Sequence, residues 1–122
     1  VGSGTVLADD PALTVRDVPE AHVPRVPPLR VVFDRAARLP VTSRLVRTVA
    51  DAPVAVVCAP DAPAERAAAL ADAGVRVVRA ASLAEGLAAL RRDQGVRSLL
   101  VEGGAGLASA LWETEQVDRL VI

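Results

Sequence analysis

The chain has 122 residues, of which 52% are hydrophobic, and its net charge is −1. This length and composition predict one soluble globular domain. The near-zero net charge gives no electrostatic reason to expect nucleic acid or a membrane surface as partner. All 14 basic residues are arginine, so a Walker A loop, a Schiff-base lysine and a Tyr–Lys catalytic pair are excluded. The single cysteine and single histidine exclude the usual Cys/His zinc sites. A lone cysteine is compatible with a reducing cytoplasm, and no apolar run approaches the roughly 20 residues that span a bilayer.

The chain opens with a glycine-rich turn and a short helical turn. Val1 has the character of the last residue of a strand, and Gly2 and Gly4 allow the backbone to pass close to a ligand. Residues 5–8 can form one helical turn. Thr5 and Asp9 are four residues apart and therefore share one face of that turn.

A turn, a short extended stretch at residues 13–15 and a loop or edge segment at Asp17–Leu29 are predicted next. Asp10 precedes a proline, which is ordinary turn chemistry. Arg16 follows a short extended stretch and is either a guanidinium suited to a phosphate or a surface arginine. Four prolines between Asp17 and Leu29 indicate little regular structure, and His22 inside this stretch is expected to be a solvated surface residue.

Five short β-branched runs then alternate with alanine-rich amphipathic stretches. Strands are predicted at Val31–Phe33, Val54–Val57, Val75–Val78, Leu99–Val101 and Leu120–Ile122, and helices at Ala64–Ala73, Leu83–Arg92 and Leu107–Trp112. Ser82 and Glu85 form a capping box, and Gly74 and Gly95 stand where helices end. Continuous apolar strands joined through helices predict a mainly parallel sheet covered on both faces, with ligands at the carboxyl ends of the strands. Cys58 is expected to be a core residue.

The segment Leu99–Leu111 is the most informative part of the chain. An apolar run ends at Glu102, then Gly103 and Gly104 follow, and a helix begins. Free N–H groups and the positive end of a helix dipole favour a phosphate there, and Glu102 adds a hydrogen-bond acceptor. A chain without lysine or tyrosine is suited to binding and orienting a cofactor that brings its own reactivity.

Three motifs carry a resemblance to a known family: Gly-Ser-Gly-Thr-Val-Leu-Ala-Asp-Asp-Pro-Ala-Leu-Thr-Val-Arg at 2–16, Val-Glu-Gly-Gly at 101–104, and Val-Asp-Arg-Leu at 117–120. Together they resemble the reductase domain of bacterial riboflavin biosynthesis, the carboxyl-terminal half of a bifunctional deaminase–reductase. The resemblance implies a dihydrofolate-reductase-like three-layer α/β fold. It also implies that residues 1–122 are a partial domain, lacking the family's first strand and the strands after Ile122, and that the protein is a cytoplasmic homodimer.

The resemblance further implies a reaction, in which NADPH reduces 5-amino-6-(5-phosphoribosylamino)uracil to the ribitylamino product. The family's cofactor-binding threonine and aspartate match Thr5 and Asp9. Its substrate-binding leucine and arginine match Leu13 and Arg16, with Arg16 suited to the 5-phosphate. The glutamate of the Glu-Gly-Gly turn, which contacts the substrate, matches Glu102.

The helix start after this turn is implied to carry the cofactor phosphates. The residues concerned are Gly104, Ala105, Gly106, Leu107, Ala108, Ser109 and Ala110. Asp9 or Glu102 can assist catalysis by stabilising an iminium or relaying a proton, and the sequence does not choose between them. The interpretation requires that the Thr5–Asp9 turn and the Gly104 corner face each other across one cleft.

Arg35 stands where the family often has a small hydroxyl residue near the adenosine side of NADPH. The strand end before it lies close to the ribose 2′-phosphate in dihydrofolate-reductase-like folds. Arg35 is therefore either a contact to that phosphate or a surface arginine beside Arg38.

Three other interpretations remain open. Residues 104–109 nearly spell the Gly-x-Gly-x-x-Gly of a Rossmann dehydrogenase, but they follow a late strand and lack the acidic residue about 20 positions further on. A related NADPH-dependent reductase of another pterin or pyrimidine shares the cofactor motifs. A non-catalytic nucleotide-binding or dimerisation module is the third.

Overall fold

A three-stranded parallel sheet between helices organises the chain, for which a computed structural model describes residues 1–122. The elements are α1 (Ser3–Asp9), a 3-10 turn (Glu20–His22), β1 (Arg30–Phe33), α2 (Arg44–Arg47), β2 (Val54–Cys58), α3 (Ala64–Asp72), β3 (Arg76–Arg79), α4 (Leu83–Gln94) and α5 (Ala105–Glu113). The strand order is β1-β2-β3, and both pairings are parallel. The predicted α/β class with a parallel sheet is confirmed.

Side chains alternate between the two faces of the sheet, so one set of strands serves two apolar clusters. The first cluster joins the sheet to the helices α1–α3 and includes Val6, Val32, Leu45, Val56 and Leu70. The second joins the opposite face to α4 and includes Val31, Ala55, Val57, Ala89 and Leu90. Helices therefore cover both faces, as the sequence predicts.

The first two residues extend the sheet beyond β1. The amino nitrogen of Val1 donates to the carbonyl of Val31 at 2.9 Å, and the N–H of Phe33 donates to the carbonyl of Val1 at 2.9 Å. Gly2 forms a parallel bridge with Phe33. These hydrogen bonds agree with the strand character predicted for Val1, but the pairing is an isolated bridge and not a strand. α1 starts beside the carboxyl end of β1.

The predicted end signals of α4 are confirmed. The N–H of Glu85 donates to Ser82 Oγ at 3.2 Å, and Glu85 Oε2 accepts from the N–H of Ala81 at 2.9 Å. Gly95 closes the helix with φ of +68°, in the left-handed region that favours glycine.

Two of the predicted strands are wrong, Leu99–Val101 and Leu120–Ile122, because neither segment belongs to a β-ladder. A strand needs a neighbour that offers free backbone groups in register. Without a ladder the apolar side chains stay open to solvent, and Leu100 is 80% exposed.

The remaining sequence predictions differ in detail only. β3 lies one residue further along the chain than predicted, and α5 begins two residues earlier. His22 is exposed and Cys58 is buried, as predicted. None of the helices is long and apolar enough to cross a membrane.

Candidate functional site

A cleft of about 540 Å³ opens at the carboxyl end of β1. Its walls come from three segments: residues 2–5, Phe33–Ala36 with Arg38, and Gly104 with Gly106 and Leu107. The first of these opens α1, the second is the turn after β1, and the third opens α5. The position agrees with the rule that parallel sheets bind ligands beyond the carboxyl ends of their strands.

Thr5 of α1 lies directly against the glycines that precede α5. A Cβ atom on Gly104 would lie 3.0 Å from Thr5 Oγ1, and one on Gly103 would lie 3.5 Å from Thr5 Cγ2. Both glycines have positive φ, +63° at Gly103 and +80° at Gly104, so a side chain at either position would also strain the backbone. The two corners that the sequence interpretation places opposite each other do meet, and we call this contact the seam.

The start of α5 offers unused hydrogen-bond donors to the cleft. Its N-cap is Gly104, and no side chain caps the first turn. The N–H groups of the first helical turn have no intrahelical acceptor, and the helix dipole adds a partial positive charge at the same place. An anion bound in the cleft would meet both.

The turn after β1 presents two arginines at the cleft. Asp34 builds this turn: its Oδ2 accepts from the N–H of Leu39 at 2.7 Å, and its carbonyl accepts from the N–H of Ala37 at 3.0 Å. Arg35 and Arg38 are exposed on the cleft wall. Asp34 itself is 1% exposed, and its Oδ1 is buried without a hydrogen-bond partner.

Arg38 and Ser3 line the cleft, and the sequence analysis assigned neither side chain a binding role. Arg38 Nη2 donates to Ser3 Oγ at 3.2 Å, which joins the arginine turn to the start of α1. The available signal was the spacing of two arginines within four residues of Asp34 at a strand end. The sequence alone did not show that α1 would lie beside them.

Asp9 and Glu102, the predicted catalytic carboxylates, are exposed and do not line the cleft. Asp9 ends α1, one helical turn beyond Thr5. Glu102 lies two residues before Gly104, the N-cap of α5. Both carboxylates therefore lie at the edges of the segments that form the cleft, outside its walls.

Leu13 and Arg16, the predicted substrate residues, lie in the loop after α1. Leu13 packs partly buried against the first core cluster, with φ of +52°. Arg16 is exposed, and neither residue lines the cleft. The structure thus separates the predicted substrate residues from the predicted cofactor corner.

Only the first turn of α5 reaches the cleft. Of the seven residues predicted to carry cofactor phosphates, Gly104, Gly106 and Leu107 line it. Ala108 and Ser109 line a different groove, between α4, α5 and the last residues of the chain. Successive helical residues turn by about 100°, so a single helix face cannot hold all seven.

Comparisons with known proteins agree with this arrangement. Residues 1–122 match the family model described as the RibD C-terminal domain. A relative from Archaeoglobus fulgidus, named 2,5-diamino-6-ribosylamino-4(3H)-pyrimidinone 5′-phosphate reductase, is 39% identical over 128 residues, covering 100% of this chain and 58% of the relative. A relative of the same name from Methanothermobacter thermautotrophicus is 46% identical over 70 residues, covering 57% of this chain and 31% of the relative.

A solved structure of similar shape is Acinetobacter baumannii RibD, form 2, with a TM-score of 0.79 and 32% sequence identity. The match covers 96% of this chain and 31% of that protein. This chain therefore spans 58% of the length of the Archaeoglobus relative and about a third of RibD. The dihydrofolate-reductase-like fold implied by the motifs is confirmed, and residues 1–122 belong over their whole length to the RibD C-terminal domain family.

Proposed function

We propose that this chain is the reductase part of an enzyme that uses NADPH to reduce the ribosylamino group of a pyrimidine 5′-phosphate in riboflavin biosynthesis. The observation that carries the proposal is the seam, because it places the open start of α5 beside α1, and Ser3 of α1 accepts from Arg38 of the turn after β1 at the same cleft. The name shared by the two archaeal relatives supports the same chemistry. The first motif, residues 2–16, supports it independently.

The residues of the cleft fit a dinucleotide. The first amides of α5 suit its phosphates, and the positive φ of Gly104 lets the backbone lie close to them. Asp34 Oδ1 is a buried acceptor without a partner in the cleft wall, which suits a ribose hydroxyl. These three features would bind the two phosphates and a sugar of one ligand.

Arg35 and Arg38 suit the 2′-phosphate that distinguishes NADPH from NADH. Both guanidiniums are exposed on the cleft wall, next to the carboxyl end of β1. A charge-assisted hydrogen bond to a phosphate contributes about 1.5–3 kcal/mol. We expect Arg35→Ala to weaken NADPH binding by about tenfold or more and to leave NADH binding unchanged; unchanged discrimination between the two would remove Arg35 from the site.

When bound, NADPH supplies the hydride. The chain's own contribution is geometric, since holding the acceptor carbon against the hydride donor lowers the barrier by several kcal/mol. The ring-opened imine takes the hydride at C1′ and a proton at nitrogen. Asp9 or Glu102 is proposed to assist by stabilising an iminium or relaying that proton, while Leu13, Arg16 and Glu102 hold the substrate.

Two substrates differ only at C2 of the pyrimidine, and the proposal covers both. The motifs imply the uracil compound, 5-amino-6-(5-phosphoribosylamino)uracil. The archaeal relatives are named for the 2,5-diamino compound, which carries an amino group where uracil has a carbonyl. The reduction at C1′ is the same for the two compounds, so the choice of substrate depends on contacts to C2.

The test is turnover of each compound by the full protein with NADPH, preceded by a titration of NADPH alone. We expect binding of NADPH and reduction of at least one compound. Binding without turnover of either would favour the non-catalytic nucleotide-binding alternative, and absence of binding would overturn the proposal. A homodimer belongs to the same proposal, and light scattering of the full protein tests it.

A further inference from the structure

The loop after α1 contains two residues whose backbone needs outside support. Asp10 has φ of +43° and Leu13 has φ of +52°. Non-glycine residues rarely adopt this left-handed region, and they persist there only where the surrounding structure holds them. Two such positions within four residues mean that contacts outside the loop hold its backbone.

The first constraint is the carboxylate of Asp10. Its Oδ1 accepts a hydrogen bond from the backbone N–H of Arg44 at 2.8 Å. Arg44 is the first residue of α2, whose free N–H groups also receive the cap of Ser43 Oγ. Asp10 is the C-cap of α1, and its N–H donates to the carbonyl of Val6 at 3.0 Å. One residue therefore ties the end of α1 to the start of α2.

The second constraint is the guanidinium of Arg30, which is 3% exposed. Its Nη1 donates to the carbonyl of Ala12 at 3.0 Å and to Thr48 Oγ1 at 2.9 Å. Its Nη2 donates to the carbonyl of Thr48 at 2.8 Å. The carbonyl of Ala12, just before Leu13, is thus bound to the buried guanidinium of Arg30, which is held by Thr48 at the end of α2.

Beyond Leu13, no hydrogen bond holds the next three residues. Residues 14–16 are exposed and make no hydrogen bond. Leu13 anchors its side chain on the core, so its left-handed backbone sets the direction in which these residues leave. The hydrogen bonds of Asp10 and Ala12 and the packing of Leu13 therefore fix the point from which the chain continues to Arg16.

We propose that Asp10 and Arg30 are positioning residues for the substrate: they hold the loop of residues 10–13 so that Leu13 and Arg16 meet the phosphorylated end of the pyrimidine substrate. The inference rests on the proposed function, because it takes Leu13 and Arg16 as substrate residues. Neither positioning residue touches the cleft. Their loss should affect the substrate and spare the cofactor.

Asp10 is the better residue to change, because Arg30 donates to so many buried acceptors that its replacement would threaten the fold. Asp10→Ala removes the acceptor, and Asp10→Asn keeps an oxygen at Oδ1. Arg44→Ala is the matched control, because the hydrogen bond uses the backbone N–H of Arg44, which the substitution keeps. All three are made in the full protein.

We expect Asp10→Ala to raise the substrate KM about threefold to tenfold, the size expected for losing an ordinary hydrogen bond. The NADPH Kd and kcat should stay within about twofold of the unsubstituted protein. Asp10→Asn and Arg44→Ala should both resemble the unsubstituted protein in all three quantities. An equal rise in substrate KM and NADPH Kd, or an equal effect of Asp10→Asn, would overturn the proposal.

Limited trypsin digestion gives a second measurement that needs no substrate. Trypsin cleaves after arginine, and Arg16 and Arg25 are both exposed in the same loop region. Asp10→Ala should speed cleavage at Arg16 relative to Arg25, and Asp10→Asn should not. An unchanged ratio would overturn the positioning role whatever the activity. A changed ratio in a protein that reduces neither pyrimidine would overturn the proposed function and the substrate role together, while leaving the loop constraint in place.

Discussion

Residues 1–95 and residues 96–122 have similar apolar content but fold differently. The first region pairs its β-branched runs into a sheet with buried faces, and Val32, Val54 and Val56 have no exposed surface. The second region contains α5 and two β-branched runs outside any ladder, where Leu100 is 80% and Val121 78% exposed. An apolar run therefore becomes a strand only where a neighbouring strand offers backbone partners, and sequence character alone does not decide it.

The helices of the two regions differ at their starts in a related way. α4, in the first region, has its first turn capped by Ser82 and Glu85. α5, in the second region, starts after Gly104 with no side-chain cap. The capped end contributes to stability, whereas the open end faces the cleft. The two regions meet at this open end, where Thr5 contacts Gly104.

The largest expected effect is the loss of stability when a buried leucine of the first region is shortened, compared with an exposed leucine of the second. Leu70 is 1% exposed on α3, and Leu100 is 80% exposed. We expect Leu70→Ala to lower the free energy of unfolding by about 2–5 kcal/mol, because it removes buried methyl groups and leaves a cavity. Leu100→Ala should change it by less than about 0.5 kcal/mol. Urea unfolding of both variants measures this, and a comparable loss in Leu100→Ala would mean that the second region is packed as tightly as the first.

The seam between the regions should give the next largest effect. Gly103→Ala and Gly104→Ala both place a side chain at positive φ, which is expected to cost about 1–2 kcal/mol. Gly104→Ala also brings its Cβ to 3.0 Å from Thr5 Oγ1, so it should be the more destabilising of the two. Adding Thr5→Ala should recover the difference, since contacting residues couple by about 0.5–3 kcal/mol. Equal losses in both glycine variants, with no recovery, would contradict the contact.

A smaller effect tests the capped helix start. Ser82→Ala removes the oxygen that accepts from the N–H of Glu85, and we expect it to lower the free energy of unfolding by about 1 kcal/mol. Ser82→Asp keeps an acceptor and should lose little. Both are measured by urea unfolding. If Ser82→Ala matched the unsubstituted protein, the cap would not distinguish α4 from α5 energetically.

Much of the first region could be predicted from sequence, because its signals are local. The capping box at Ser82, the glycine end at Gly95 and the strand runs of β1 and β2 all act within a few residues. The strands predicted near Leu99 and Leu120 failed because strand formation depends on a distant partner. Arg38 was missed for the same reason: its hydrogen bond joins it to Ser3, 35 residues away.

The predictions of functional residues also differ according to whether the signal is local or depends on a distant partner. The sequence singles out Thr5 and Gly104 because glycine turns and helix starts have strong sequence signals. The structure brings the two residues together, and their cofactor-binding role stays a prediction. The role of Asp10 was underestimated, since a residue before proline suggests only a turn. Its hydrogen-bond partner is the backbone N–H of Arg44, and no sequence pattern predicts a backbone donor 34 residues away.

The smallest expected effect concerns pH and belongs to the first region alone. Cys58, at the end of β2, has its thiol pKa raised above the ordinary 9.0, chiefly by burial, with Asp34 adding to the rise and Arg79 opposing it. A raised pKa means that the folded state holds the proton more tightly than the unfolded state does. The stability from this group is therefore complete below about pH 9 and is lost as the pH rises through the folded-state pKa.

The composition makes this measurement clean, because the chain has no lysine and no tyrosine to titrate in the same range. We expect the free energy of unfolding to fall above pH 9 in the unsubstituted protein and to fall less in Cys58→Ala, whatever the offset between the two at pH 7. Urea unfolding at a series of pH values gives both curves. Parallel curves would mean that Cys58 titrates alike in the folded and unfolded states, and the centre of the sheet would then be no better shielded from water than the open second region.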